Sequence, residues 1–135
     1  MLTDAVAIPI QTEADIVSAR QTGRRMAGEL GFSSSQLTMI ATAISELARN
    51  VVTYGGGGEV ILELREIGTR RGIHVIARDE GPGIPDLEAA LQDGFSTGQS
   101  LGLGLPGARR LMDEFEIVST VGEGTTVSTT KWAPS

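Results

Sequence analysis

From Leu37 onward the apolar residues Leu37, Ile40, Ala41, Ile44, Leu47, Ala48 and Val51 recur every three or four positions. That spacing lines one face of an α-helix and predicts that this face is core. Ser33-x-x-Gln36 is a capping-box pattern that opens the helix, which is expected to run to about Val52 and to end at Gly55–Gly58. An earlier helix is expected from the Thr12 cap, with Asp15 three residues on, to Leu30, where Gly31 stops it. Elsewhere the pattern shortens to alternation. "AVAIPI", Ala5–Ile10, reads as a short strand, and Pro9, which has no N–H to give a ladder, suggests an edge. "EVILELREI" and "GIHVIA", joined by "GTRRG", predict a hairpin, and "FEIVSTV", "GEG" and "TTVSTTKW" predict a second. Between the hairpins, Asp86–Asp93 is expected to make a helical turn or two and "GFSTGQS" a loop of small residues. "LGLGLPGARRLMDEF" leads into a helix that accepts Pro106 near its first turn.

The order strand, two helices, hairpin, glycine-rich loops, helix, hairpin is an α+β order. It predicts a two-layer sandwich with a mixed or antiparallel sheet on one side. At 135 residues the chain is read as one domain, 1–135, with a single core. The absence of cysteine excludes a disulfide framework and a thiolate metal site. No signal-peptide pattern and no bilayer-length apolar run is present, so a cytoplasmic protein is expected. A formal net charge of -6 argues against a generic nucleic-acid or anionic-membrane binder. It leaves a nucleotide ligand open, because phosphates can be held by a metal ion and by backbone N–H groups. The 18 glycines cluster in loops between well-patterned segments, which suggests main chain approaching a ligand.

Three motifs are candidates for chemistry. Glu46 and Asn50 stand four apart on the second helix and so lie one above the other. Together they could hold a hard cation and a water, or take a proton from a hydroxyl; taken alone, such a pair is more often a solvated polar flank, since most surface helices carry one. In Asp79-x-Gly81-x-Gly83 a carboxylate at a strand end can accept from an exocyclic amine while glycine lets the backbone lie flat against a ring. The alternative is an acidic turn punctuated by Pro82 and Pro85. Gly102-Leu103-Gly104-Leu-Pro-Gly107 opens a helix, where backbone donors and the helix dipole can face an anion. It lacks the βαβ context of a dinucleotide fingerprint, and no P-loop motif occurs in the chain.

The order E-x-x-x-N, D-x-G-x-G, G-x-G-x-x-G and "GEGT" resembles the N-box and the two glycine boxes of the Bergerat-type ATP-binding (GHKL) fold of gyrase, Hsp90, histidine kinases and MutL. The resemblance extends from Ser33 through Lys131. It implies a mixed sheet with helices on one face, ATP and Mg²⁺ as cofactors, and a role for each motif. Asp79 matches the adenine-binding carboxylate, with Gly81 and Gly83 beside the base. Asn50 matches the Mg²⁺ ligand, and Gly102, Leu103, Gly104 and Gly107 match the phosphate loop. Thr125 matches the threonine that helps hold the adenine side, and Glu46 becomes the catalytic base.

Within that superfamily "ISELARN", "DEGPGIPD", "GFSTG", "GLGLPGARRLMDEF" and "GEGT…KW" look closest to the anti-sigma-factor-type serine/threonine kinases, in particular the stressosome switch kinases. The single histidine, His74, lies in a predicted strand, where it packs or sits at an edge, unlike a phosphoacceptor on a dimerising helix. The resemblance implies phosphoryl transfer from ATP to a serine or threonine of a STAS-domain protein, then activation of a PP2C-type phosphatase. Self-association into a homodimer is a further option. Two alternatives stand beside it: an anti-sigma factor that binds a sigma factor directly and phosphorylates its antagonist, and a regulatory module that binds nucleotide without turnover. Arg49 and Arg109 are left outside the catalytic set, as surface charges or contacts to the γ-phosphate. "GFSTGQS" is expected to close as a lid.

Overall fold

The computed structural model describes residues 5–84 and 104–134. In chain order it contains β1 (Val6–Ile10), α1 (Glu13–Ala27), α2 (Ser34–Thr53), β2 (Gly58–Ile67), β3 (Arg70–Asp79), α3 (Gly104–Leu111), β4 (Glu114–Thr120) and β5 (Gly124–Trp132). The expected turn over Asp86–Asp93 and the "GFSTGQS" loop lie outside the described residues.

Both capping boxes form. The Thr12 hydroxyl accepts from the Asp15 N–H, and the Asp15 carboxylate accepts from the Thr12 N–H at 3.0 Å and the Gln11 N–H at 2.8 Å. Ser33 and Gln36 exchange the same pair of bonds at 3.1 and 3.0 Å. Each box satisfies backbone donors that the first turn of a helix leaves without partners. α1 stops at Ala27, three residues earlier than the pattern predicts, and the chain tightens into a 3₁₀ turn over Gly28–Leu30 before Gly31.

The five strands lie in the order β1-β2-β3-β5-β4, and all four pairings are antiparallel. Of the two sheet types open to the sequence the antiparallel one is observed; the mixed sheet implied by the resemblance is not. The connections explain it. α1 runs away from the end of β1 and α2 runs back, so two passes return the chain to Gly58 beside Ile10, and β2 departs antiparallel. β3 and β4 point the same way, but β5 lies between them. β1, with Pro9, is an edge strand as expected.

The core forms between one face of this sheet and the helices. Val60, Leu62, Ile73, Val75 and Ala77 meet Ile16, Ala19, Ile40, Ile44 and Leu47, all buried. Six of the seven apolar positions that predicted the α2 face are buried, and Leu37 is half-buried at the helix start. Emptying one of the large positions by substitution to alanine costs about 2–5 kcal/mol in well-packed cores.

The opposite face stays partly open. Across it run Glu63, His74, Thr130 and Glu114 in register. His74 Nδ1 lies 2.8 Å from the Thr130 hydroxyl. Trp132 donates its indole N–H to Glu114 at 2.7 Å, and the Arg70 guanidinium stacks 4.1 Å from the ring centre. Burial first, and the Arg65 guanidinium second, hold the His74 pKa below its ordinary value of 6.5, against the opposing pull of Glu63 and Glu114. The folded state therefore prefers neutral His74, and the unfolded chain takes up a proton first as pH falls. Stability from this residue is complete above 6.5 and declines as pH drops below it. Asp15 is held below its ordinary 3.8 by the Gln11 and Thr12 N–H groups, so its contribution fades only in a separate, more acidic window. Denaturant titrations at pH 7.5 and 5.5 are expected to show a larger loss of stability for the wild type than for His74→Gln. Equal losses would assign the acid sensitivity to other groups.

Candidate nucleotide site

The strand directions gather five ends at one edge of the sheet. β1, β3 and β4 finish there and β2 and β5 begin. α2 also ends there, and the residues after it fold across the end of β3. Asp79 is the last residue of β3, half-buried, facing the helix side. Its row reads Gly58, Asp79, Thr125, Ser119 across four strands.

Around this carboxylate the main chain is bare and close. A Cβ on Gly55 would lie 2.4 Å from Asp79 Cγ and 2.7 Å from Oδ2, so only glycine allows α2's exit to press against it. A Cβ on Gly81 would lie 2.7 Å from Gly55 Cα, while the Gly81 N–H donates to Asp79 Oδ1 at 2.9 Å. Gly83 has a φ of +80°, in the left-handed region, and a Cβ there would meet the Thr120 carbonyl at 2.5 Å. The loop is tied down beyond it. Gly122 N–H donates to Pro82 O at 2.8 Å, and Ile84 N–H donates to the Ser119 hydroxyl at 2.7 Å. The Ser119 and Thr125 hydroxyls are 2.7 Å apart.

The second group sits on α2. Glu46 is only 6% exposed, which sets it apart from a solvated polar flank. Its Oε1 accepts the Gly104 N–H at 3.2 Å. Asn50, one turn toward the sheet edge, is half-buried. Gly104 is the first residue of α3, and Leu105, Pro106, Gly107 and Ala108 follow it buried. The first turn of α3, where N–H groups have no partner within the helix, thus packs beside α2. Gly102 and Leu103 lie outside the described residues. Arg49 pairs with Glu13 at 3.0 Å, and Arg109 is exposed on α3. Beside Asp79, a cavity of about 310 Å³ opens among Pro9, Gly58, Glu59, Arg78 and Glu80, with no residue of α2 or α3 in its lining.

The structure therefore brings Asp79, Gly81, Gly83 and Thr125 together at one end, and Glu46, Gly104 and Gly107 together where α3 meets α2. Two residues that the sequence reading missed belong to the first group. Gly55 was read only as a helix stop. Ser119 was read only as part of a strand, although Phe115 and Ile117 alternate with it and it breaks that apolar series. A carboxylate cradled by bare backbone suits a flat heterocycle with an exocyclic amine. The base of a purine nucleotide fits these residues.

Comparisons with known proteins identify the family. The family model described as the histidine kinase-like ATPase domain matches residues 10–131. The chain is 50% identical over 131 residues to serine/threonine-protein kinase RsbT of Bacillus subtilis (strain 168), covering 97% of this chain and 98% of that protein. It is 35% identical over 114 residues to anti-sigma F factor of Geobacillus stearothermophilus, covering 81% and 78%. Against anti-sigma F factor of Thermoanaerobacter sp. (strain X514) the identity is 32% over 121 residues, covering 87% and 85%. With its antiparallel sheet, one-sided helices and glycine-cradled carboxylate, the chain belongs to the histidine kinase-like ATPase domain family, in the company of a serine/threonine kinase and anti-sigma factors.

Proposed function

We propose that the protein is an ATP- and Mg²⁺-dependent serine/threonine kinase that phosphorylates a STAS-domain protein and serves as a partner switch in stress-response sigma-factor control. The observation that carries this reading is the buried Glu46 on the same helix as Asn50, with the Asp79 cradle at that helix's end. The 50% identity to a serine/threonine-protein kinase over nearly the whole chain supports it. Having delivered the phosphoryl group, the protein would leave its substrate and activate a PP2C-type phosphatase in the cytoplasm.

Asp79 accepts from the exocyclic amine of adenine, with Thr125 beside it and the Gly81–Gly83 backbone against the ring. In the first turn of α3 the N–H groups of Leu105 and Gly107 would be the donors to the phosphates, since Gly104 gives its N–H to Glu46 and Pro106 has none; Gly102, Leu103 and Gly104 are assigned to the same phosphate loop. Among the described residues no group of three or more His, Asp or Glu gathers to cage a metal. Mg²⁺ here would be held by Asn50 together with phosphate oxygens, the usual arrangement for an ion that keeps its waters. Its chemistry is to neutralise charge on the phosphates. Glu46 takes the proton of the acceptor hydroxyl as that oxygen bonds the γ-phosphorus and the bond to ADP breaks.

The 35% identity to an anti-sigma F factor favours a second reading, in which the chain binds a sigma factor directly. One experiment separates these. Purified protein is incubated with Mg²⁺-ATP and a STAS-domain protein, and in parallel used as bait for the sigma factor and for a PP2C-type phosphatase. Phosphorylated STAS protein with phosphatase captured is the expected result. Sigma captured in place of phosphatase selects the second reading, and nucleotide bound with no phosphotransfer leaves only a regulatory module.

A further inference from the structure

We propose that the end of the molecule remote from the nucleotide site, built around Trp132 and the β2–β3 turn, is a docking surface for an acidic segment of a partner protein. The inference does not depend on the nucleotide reading. β3 runs ten residues from Arg70 to Asp79, roughly 30 Å, so a partner held at one end leaves the other open.

At this end β2 finishes at Ile67, β3 begins at Arg70, β5 finishes at Trp132 and β4 begins at Glu114. Gly72 faces Trp132 across the β3–β5 ladder, and a Cβ on it would lie 2.8 Å from the indole Cε3. Only glycine lets the ring lie so close over β3. Trp132 is tied at both of its nitrogens, the main-chain N–H donating to Asp113 at 2.7 Å and the indole N–H to Glu114 at 2.7 Å. The Arg70 guanidinium caps the ring, 4.1 Å from its centre. A guanidinium stacked on an aromatic ring is held by its flat side and keeps its N–H edge for a carboxylate. Arg70 is thus ordered before any partner arrives, which lowers the entropy cost of binding.

The charges around the ring are unequal. Arg70 and Arg71 are exposed, and so are Arg109 and Arg110 on the last turn of α3, which leads into β4. Among the carboxylates here, Asp113 pairs with Lys131 at 3.6 Å and Glu114 accepts from the indole. Glu66, opposite Arg71, is left to balance four exposed arginines, in a chain whose formal net charge is -6. The opposite end carries Asp79, Glu80 and Glu123. Ile67, 57% exposed, pairs with Arg70 across the two-residue turn of Gly68 and Thr69. An apolar side chain beside arginines suits a segment that alternates acidic and apolar residues. A nucleic-acid backbone fits less well, because its phosphates continue beyond the arginines and meet the net negative charge of the rest of the chain.

Trp132 is the single tryptophan of the chain, so its emission reports on this end alone. The test is fluorescence titration of the whole protein with a short synthetic peptide of alternating glutamate and leucine, beside a lysine–leucine counterpart. A saturable change in emission is expected with the glutamate peptide only, weakening as salt is added and unaltered by saturating Mg²⁺-ADP. Arg70→Glu with Arg71→Glu should weaken binding about tenfold or more, with a melting curve confirming that the variant is folded. Should that variant fail to fold, Arg71→Glu with Arg109→Glu gives the same readout and leaves the ring stack in place. No change in emission, an equal response to the lysine peptide, or undiminished affinity in the folded variant overturns the inference. A DNA oligonucleotide bound as tightly as the glutamate peptide overturns the assignment to a protein segment. Absence of ADP binding would bear on the nucleotide reading and leave this one standing.

Discussion

Replacing Asp79 by asparagine is expected to abolish nucleotide binding while leaving the fold intact. Asparagine has the same shape and keeps an oxygen that can accept the Gly81 N–H, now 2.9 Å from Asp79 Oδ1. What changes is the other position. There a carboxylate oxygen becomes an NH₂ group, and two donors then face each other when an exocyclic amine arrives. Losing a charged acceptor and leaving a buried amine unpaired weakens binding by about 100-fold or more. The check is titration with Mg²⁺-ADP beside a melting curve. Gly55→Ala reaches the same carboxylate by crowding, since its Cβ would fall 2.4 Å from Asp79 Cγ. It should weaken ADP as well, without touching the charge. Wild-type affinity in the asparagine variant would remove Asp79 from the site.

Glu46 should govern the chemical step, and the structure adds a complication that two substitutions resolve. Its Oε1 accepts the Gly104 N–H at the start of α3, so Glu46 also holds the helix that carries the second glycine box. Glu46→Gln retains an oxygen for that bond and removes only the base. Its kcat for phosphotransfer to a STAS protein should fall about 10²- to 10⁴-fold, the usual range for losing a general base. ADP affinity should stay near the wild-type value. Glu46→Ala removes both functions, so it should lose kcat to a similar degree and also melt earlier, because Gly104 loses its acceptor. Normal phosphotransfer by the glutamine variant would show that the acceptor proton goes elsewhere and that Glu46 has a structural role.

Several elements were legible because their cause is local. Thr12 with Asp15, and Ser33 with Gln36, mark helix starts through bonds between residues three apart, and both bonds are present. The helical spacing of Ile40, Ile44 and Leu47 identified a core face that packs as read. Pro9 marked an edge strand by what it cannot donate. The hairpin turn was placed less well. β3 already begins at Arg70, so "GTRRG" contributes its arginines to the strand and leaves only Gly68 and Thr69 to turn.

Family membership was readable from the resemblance of the ordered motifs to a known fold, since their order and spacing survive along the chain wherever the residues come to lie. Partners distant in sequence were not. Sheet type followed from how many helical passes separate the strands and from β5 inserting between β3 and β4, which depends on packing. The closeness of Gly55 to Asp79, of Glu46 to Gly104 and of Ser119 to Thr125 depends on register and on where α2 ends and α3 begins. Local pattern sets which way each side chain points along its own element. Only the folded chain decides what it meets.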